Sequence, residues 1–245
     1  MKYQVISPHI DDAVLSMGGL LSQWLEQHIC IEILYVFSFS SWVSGSISAN
    51  AGLQPDAHLV TSLRKKEEAA AQQIIPYSCS YLDYADAAVR KGLQPDAEMI
   101  AQLKQKIMAF ADPDVWCFFP LGLGHTDHLA TRNIGIELLS LGYKIGFYED
   151  MPYMSYQHLR YAVLHDVLHS LGMKSTVAAI DFEVKLNAIR CYRSQVSMEW
   201  ERAITAYAYS AADNQYYERY WTWSADVPFS LPRIQATLEQ MDVGN

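Results

Sequence analysis

Two short polar stretches hold the residues best equipped for chemistry. The first is Ser7-Pro8-His9-Ile10-Asp11-Asp12, and the second is Pro120-Leu121-Gly122-Leu123-Gly124-His125-Thr126-Asp127-His128. Each follows an apolar run and opens a helical pattern, which places each at the end of a strand. Catalytic zinc commonly takes three protein ligands from His, Asp or Glu and leaves a position for water. His9, Asp12 and His128 can supply that set. Asp11 then stands beside the bound water as a general base, returning its proton later to a leaving amine. His125 can donate to a developing oxyanion, and Asp127 can orient an imidazole from behind. Helix capping, which Asp favours, explains Asp11 or Asp127 taken singly but not the two clusters together.

The elements that must position these residues are readable from the hydrophobic pattern. Residues 3–6 read as a strand, Val14, Leu15, Met17, Leu20, Leu21, Trp24 and Leu25 recur at helical spacing, and residues 31–37 read as a buried second strand. The alternation continues with a helix over 62–75, a strand over 80–82, a helix over 96–111, a strand over 115–119, a helix over 127–141 and a strand over 144–148. Such a pattern predicts an α/β fold with a mostly parallel sheet covered on both faces and ligands at the carboxyl ends of its strands. Residues 38–58 read as a long loop or lid. A helical pattern from Glu183 onward takes in residues 191–195, and the aromatic run 216–223 reads as a terminal strand or packed cover. No repeat or linker divides the chain, so residues 1–245 read as a single domain.

Composition narrows the partners. A formal net charge of -9 and the absence of a basic block argue against a nucleic-acid backbone binder. No apolar run approaches the roughly 20 residues of a membrane span, and the N-terminus enters a strand pattern without a signal-type core. The expectation is a cytoplasmic protein that engages no membrane. Cys30, Cys79, Cys117 and Cys191 lie far apart without the close pairs of a zinc ribbon, and read as small buried hydrophobes.

The paired motifs Pro8-His9-Ile10-Asp11-Asp12 and His125-Thr126-Asp127-His128 resemble the two metal-site signatures of the PIG-L/LmbE-like family of zinc-dependent N-deacetylases. Arg64 and Glu67, Asp86 and Arg90, residues 148–153, and Ser194-Gln195 match as well, so the resemblance runs from about residue 3 to residue 195. It implies a Rossmann-like three-layer sandwich, zinc or another divalent metal at the sheet edge, and removal of an N-acyl group, usually acetyl, from an amino sugar or glycoconjugate. It also implies His9, Asp12 and His128 as ligands, Asp11 as base and His125 as the electrophilic or acid partner. Two positions depart from the pattern: many relatives have Pro and Glu where this chain has Ile10 and Ala13. The ligands are untouched, but a carboxylate behind them is lost, so substrate orientation is expected to differ.

Other features admit two readings. Arg64 belongs either to a solvated i,i+3 face with Glu67 or to the cleft, where it would bind substrate hydroxyl or phosphate groups. Asp86 and Asp150 either accept sugar hydroxyls or cap loops. The Gly122-Leu123-Gly124 turn lacks a full nucleotide fingerprint and reads as room for backbone beside the metal. His165-Asp166-Val167-Leu168-His169 echoes a metalloprotease helix, but with a shorter acid and no third ligand at a typical spacing. Trp42, Tyr153, Tyr156, Trp200, Trp221 and Trp223 are either packing residues or platforms for a sugar or acyl chain. The expected partner is a small N-acyl amino sugar or glycoconjugate, with a homo-oligomer compatible with the sequence. The competing function is a metal-dependent sugar- or nucleotide-binding protein without hydrolysis.

Overall fold

The computed structural model describes residues 1–44, 56–156 and 173–223. Strand β1 (Lys2–Ser7) buries Val5 and Ile6 completely and runs through a tight turn into helix α1 (Asp12–Glu26). Strand β2 (Cys30–Tyr35) follows, then helix α2 (Ala57–Ala71), whose first turn is capped by the Asp56 side chain accepting from the Leu59 N–H. Strand β3 (Ser78–Tyr81), helix α3 (Ala97–Phe110), strand β4 (Trp116–Pro120), helix α4 (Thr126–Ser140) and strand β5 (Ile145–Tyr148) complete the alternation read from the sequence. Then come the short helix α5 (Tyr153–Tyr156), strand β6 (Met173–Ala179), helices α6 (Phe182–Ile189) and α7 (Met198–Ala208), and strands β7 (Tyr209–Ser210) and β8 (Gln215–Trp223).

The strands lie in the order β3-β2-β1-β4-β5-β8-β6, with β7 paired to β8. The first five are mutually parallel, β8 is antiparallel to both its neighbours, and helices cover both sides. The chain therefore winds outward from β1 to β3, then returns to lay β4 and β5 on the other side of β1. Such a reversal opens a crevice between the carboxyl ends of the two strands flanking it. Those strands are β1 and β4, the ones that carry the two polar motifs.

The aromatic run, read as a terminal strand or packed cover, forms strand β8, which lies inside the sheet between β5 and β6 with its Trp221 fully buried. The helix begun near Glu183 ends at Ile189, so residues 191–195 lie in the turns that follow. The sequence also gave no sign of β6, four of whose seven residues are solvent-exposed in unbroken succession, so it lacks a period-2 signal. Cys30 is exposed and Cys79 and Cys191 are half-buried, leaving Cys117 as the buried one; all four are free thiols. Residues 45–55 of the expected loop or lid, and the His165 to His169 motif, lie outside the described residues.

Helix α1, which carries Asp12, is fixed at depth. A Cβ on Gly19 would sit 2.6 Å from the Ile180 side chain, so only glycine permits this approach. Beside it Glu218 pairs with Lys185 at 2.6 Å and accepts from the Gly19 and Leu20 N–H groups at 3.1 and 2.7 Å. The buried charges are thereby both paired and hydrogen-bonded, as burial requires. Among the described residues no helix is long and apolar enough to cross a membrane.

Candidate active site

At the end of β1 the chain folds on its own side chains. Ser7 Oγ donates to the His9 carbonyl at 2.7 Å and accepts from the Ala13 N–H at 3.1 Å, while Asp12 Oδ2 accepts from the His9 N–H at 2.8 Å. This brings His9, Asp11 and Asp12 into a single turn, all three buried. At the end of β4, Gly122 has φ of 78°, and its N–H and that of Leu123 both donate to Asp150 Oδ2 at 2.8 Å. The positive φ suits glycine, and a Cβ would also press on Arg132 at 2.9 Å. His125 then caps α4, its Nδ1 accepting from the Asp127 N–H at 3.2 Å. Asp127 and His128 follow in the first helical turn, both fully buried.

Three donor atoms converge between the strand ends. His9 Nδ1 and His128 Nε2 each lie 3.1 Å from Asp12 Oδ2 and 3.3 Å from one another. The ligand-to-ligand edge of a tetrahedral site with bonds of 2.0–2.1 Å is about 3.3 Å, so this donor set fits a small divalent metal. The far nitrogens are braced as metal-bound imidazoles usually are: His9 Nε2 lies 3.0 Å from Asp127 Oδ2, and His128 Nδ1 lies 3.3 Å from Asp150 Oδ2. His125 stands at the edge of the cluster, with a nitrogen within 4.8 Å of ring nitrogens of His9 and His128. Asp12 closes the tighter triangle, and His125 flanks it.

The electrostatics follow from burial set against close partners. Burial opposes charge on His9 and His128, yet Asp12 overcomes it, with Asp127 helping at His9 and Asp150 at His128, raising the two imidazoles to about 9 and about 10. Burial likewise opposes charge on Asp12, and His128 and His9 outweigh it, holding its carboxyl well below the usual range. Asp11 behaves differently: burial pushes its carboxyl up, and Arg64 offsets only part of that. Burial lowers His125 to about 3, reinforced by the positive neighbours His9 and His128.

Arg64 lies in the cleft, 3% exposed, and not on a solvated face. Its guanidinium donates to Asp11 Oδ1 at 2.9 Å and Ser40 Oγ at 3.0 Å. Its helical neighbour Glu67 turns instead to Ser194, accepting from the backbone N–H and the hydroxyl, each at 2.7 Å. Asp86 lines the cavity, and its Oδ1 accepts from the Val89 N–H at 2.9 Å, as its loop-capping reading expects. Asp150, read either as an acceptor of sugar hydroxyls or as a loop cap, is 1% exposed and does the second: its Oδ2 holds the Gly122 turn and meets His128. Asp127, grouped with the catalytic residues, is equally enclosed; it accepts from the Ala87 N–H at 3.0 Å and pairs with Arg90, so it positions His9 without reaching the cleft. Burial raises the Asp127 carboxyl, but the bonds from His9 and Arg90 prevail and hold it below the ordinary range.

Ser40 and the anchoring work of Arg90 were not anticipated. Arg90 also donates to the Ala85 and Leu93 carbonyls and lies 5.1 Å over the Phe37 ring, tying the 85–93 loop to the site. The resulting cavity of about 380 Å³ is lined by His9, Asp11, Asp12, Arg64, Asp86 and His125 together with Trp42, Tyr153 and Trp200.

A mostly parallel α/β sheet with a His-Asp-His donor set at its reversal point, flanked by a carboxylate and a neutral imidazole, defines a metal-binding hydrolase class of site. The family model described as PIG-L: GlcNAc-PI de-N-acetylase matches residues 4–139, more than half of the chain, and the chain belongs to that family. It is 28% identical over 227 residues to 2'-N-acetylparomamine deacetylase of Niallia circulans, covering 79% of this chain and 80% of that protein. The crystal structure of a deacetylase from the biosynthesis pathway of teicoplanin superposes with a TM-score of 0.70 at 22% identity, covering 91% of this chain and 97% of that one. GalB, a 4-carboxy-2-hydroxymuconate hydratase from Pseudomonas putida KT2440, superposes with a TM-score of 0.62 at 16% identity over 94% and 98% of the two chains. The structural matches thus establish the fold, which by itself does not fix the reaction.

Proposed function

We propose that this protein is a zinc-dependent N-deacetylase that hydrolyses the amide of an N-acetylated amino sugar or glycoconjugate. The observation that carries the reading is the 3.1–3.3 Å triangle of His9 Nδ1, Asp12 Oδ2 and His128 Nε2, with Asp11 and His125 beside it. A divalent metal held by those atoms would polarise the amide carbonyl and make water a usable nucleophile near neutral pH. Asp11 takes the proton of the attacking water. Arg64 engages its Oδ1 and leaves Oδ2 for that proton, while burial raises its basicity towards the range a general base needs.

His125 has the opposite task. Its Nδ1 accepts a backbone N–H, so its one proton sits on Nε2. Depression to about 3 keeps the ring neutral, suiting it to donate a hydrogen bond to the oxyanion and not to deliver a stored proton. Asp11 therefore returns its proton to the departing amine. Asp127 and Asp150 fix the orientation of the two ligand imidazoles, and Arg64 and Asp86, which line the cavity, would meet hydroxyls of the sugar. The reading takes the 245 residues as one catalytic domain working on a small substrate in the cytoplasm.

The test is amine release. Metal-depleted protein reloaded with zinc should liberate free amine and acetate from members of a panel of N-acetyl amino sugars and glycoconjugates, detected by mass spectrometry. Zinc-loaded protein that binds panel members but releases no amine from any would overturn the proposal in favour of a binding protein.

A further inference from the structure

The segment from Ser40 to Ser44 forms neither helix nor strand, yet it carries Ser40, the partner of Arg64, and Trp42, which lines the cavity. Its backbone groups have no ladder to join, so its place is set by whatever side chains and turns hold it. One hold is α2: the Ser40 N–H donates to Thr61 Oγ1 at 2.9 Å, and Arg64 donates to Ser40 Oγ. The other is the turn that follows α6. The Ser44 N–H donates to the Ser194 carbonyl at 2.7 Å, and Gln195 Nε2 donates to the Trp42 carbonyl at 3.3 Å.

That turn answers to Glu67. Both carboxylate oxygens of Glu67 are committed to Ser194, one to its backbone N–H and one to its hydroxyl. An ionised carboxylate only accepts, so it draws the hydroxyl hydrogen towards itself and leaves the Oγ lone pairs for another donor. Gln195 Nε2 is that donor, at 2.7 Å. With Nε2 set between two acceptors, Ser194 Oγ and the Trp42 carbonyl, the Gln195 amide has one orientation; reversed, its oxygen would face the Trp42 carbonyl. Glu67, Ser194 and Gln195 are all buried, and Gln195 itself lines the cavity. The circuit closes on α2, where Arg64 and Glu67 stand one helical turn apart and Arg64 also holds Asp11.

We propose that Glu67 is a positioning residue: acting through Ser194, it fixes Gln195 and Trp42 in the cavity lining at a set place relative to Asp11, and so governs how tightly substrate is held. The proposal rests on the deacetylase reading for the turnover that reports it, but not for the chain of hydrogen bonds itself.

The experiment compares zinc-loaded wild type, Glu67→Gln, Ser194→Ala and the double variant. Ser194→Ala changes no charge, and the Tyr192 hydroxyl, 2.6 Å from Glu68 Oε2, still attaches the turn to α2. Hydrogen exchange at the Trp42 and Ser44 amides, neither of which is bonded to an altered atom, should quicken about tenfold in each single variant, while Val5 and Ile6 of β1 keep their protection. For the N-acetyl amino sugar that the wild type cleaves fastest, KM should rise about tenfold, with kcat within about twofold and zinc content unchanged. The double variant should be no worse than Glu67→Gln, because the two residues act as one unit, and Ser194→Thr, which keeps the hydroxyl, should recover most of the KM. Unchanged exchange, a loss confined to kcat, or a lower melting temperature with KM untouched overturns the proposal, and additive effects in the double variant overturn the route through Ser194. Quickened exchange with no amine released by the wild type from any panel member would sink the deacetylase reading and keep the hold of Glu67 on the cavity lining. Amine release with exchange and KM unmoved in the variants would do the reverse.

Discussion

The ends of β1 and β4 contribute differently to one site. The β1 end is acidic: it gives His9 and Asp12 to the donor triangle, and Asp11, the proposed base, is held by a charged partner, Arg64 of α2. The β4 end gives the triangle one nitrogen, of His128, and sets His125, the proposed oxyanion donor, on a backbone N–H. Burial drives Asp11 and His125 alike towards their uncharged forms, raising the carboxyl and lowering the imidazole. Arg64 offsets part of that drift at Asp11, as Asp127 and Asp12 do at His125. One physical influence thus favours a stronger base at one strand end and a neutral donor at the other. The ends are not independent modules either, because His9 of the first is braced by Asp127 of the second.

The difference can be attacked at its strongest point. Replacing His125 with Ala should lower kcat about 10²–10³-fold, the usual cost of an oxyanion donor, while the metal content measured by elemental analysis stays at wild-type level. Loss of the metal in that variant would make His125 a ligand, erasing the distinction between the two strand ends. Asp127→Asn tests the brace between them. Apparent zinc affinity, measured by competition with a chelator, should fall about 10- to 100-fold, and an unchanged affinity would uncouple the ends.

A smaller effect separates protons from metal in the same triangle. In metal-free protein, His9 and His128 are raised to about 9 and about 10 by carboxylate partners. Their stabilisation is fully present below the unfolded value of about 6.5 and is lost as pH rises through those two values. Metal binding requires the same imidazoles to be unprotonated, so it has the opposite dependence and strengthens as pH rises. The melting temperature of chelator-treated protein should therefore decline from about pH 7 to about pH 10, while the increment added by zinc grows. Parallel profiles with and without zinc would remove the triangle as the shared seat of both effects.

Much of this was legible in the chain, for a physical reason. Strands β1 and β4 are buried apolar runs, and polar residues packed directly against such runs have few roles other than chemistry, so His9, Asp11, Asp12, His125 and His128 stand out locally. Asp150 and Arg64 do not. Each acts through a partner far away in sequence, His128 and Asp11 respectively, and a lone aspartate after a strand or an arginine on a helix looks the same whether it meets substrate, solvent or another side chain. Ser40 lies in a weakly patterned loop, and its place in the site comes from the α2 side chains that reach it, the Arg64 guanidinium and the Thr61 hydroxyl. The same limit applies to β8: its aromatic content showed a strand, but insertion between β5 and β6 is a matter of long-range pairing that local periodicity does not encode.

Adjacent aspartates offer the sharpest test. Asp11 and Asp12 are chain neighbours, equally buried, yet one is assigned to moving a proton and the other to holding the metal. Zinc stoichiometry and amide turnover should be measured together in Asp11→Asn and Asp12→Asn. Asp11→Asn should retain about one zinc per chain and lose at least about 10²-fold in kcat, whereas Asp12→Asn should lose the zinc along with the activity. Zinc lost from Asp11→Asn, or full turnover retained by it, would contradict the division of labour between them.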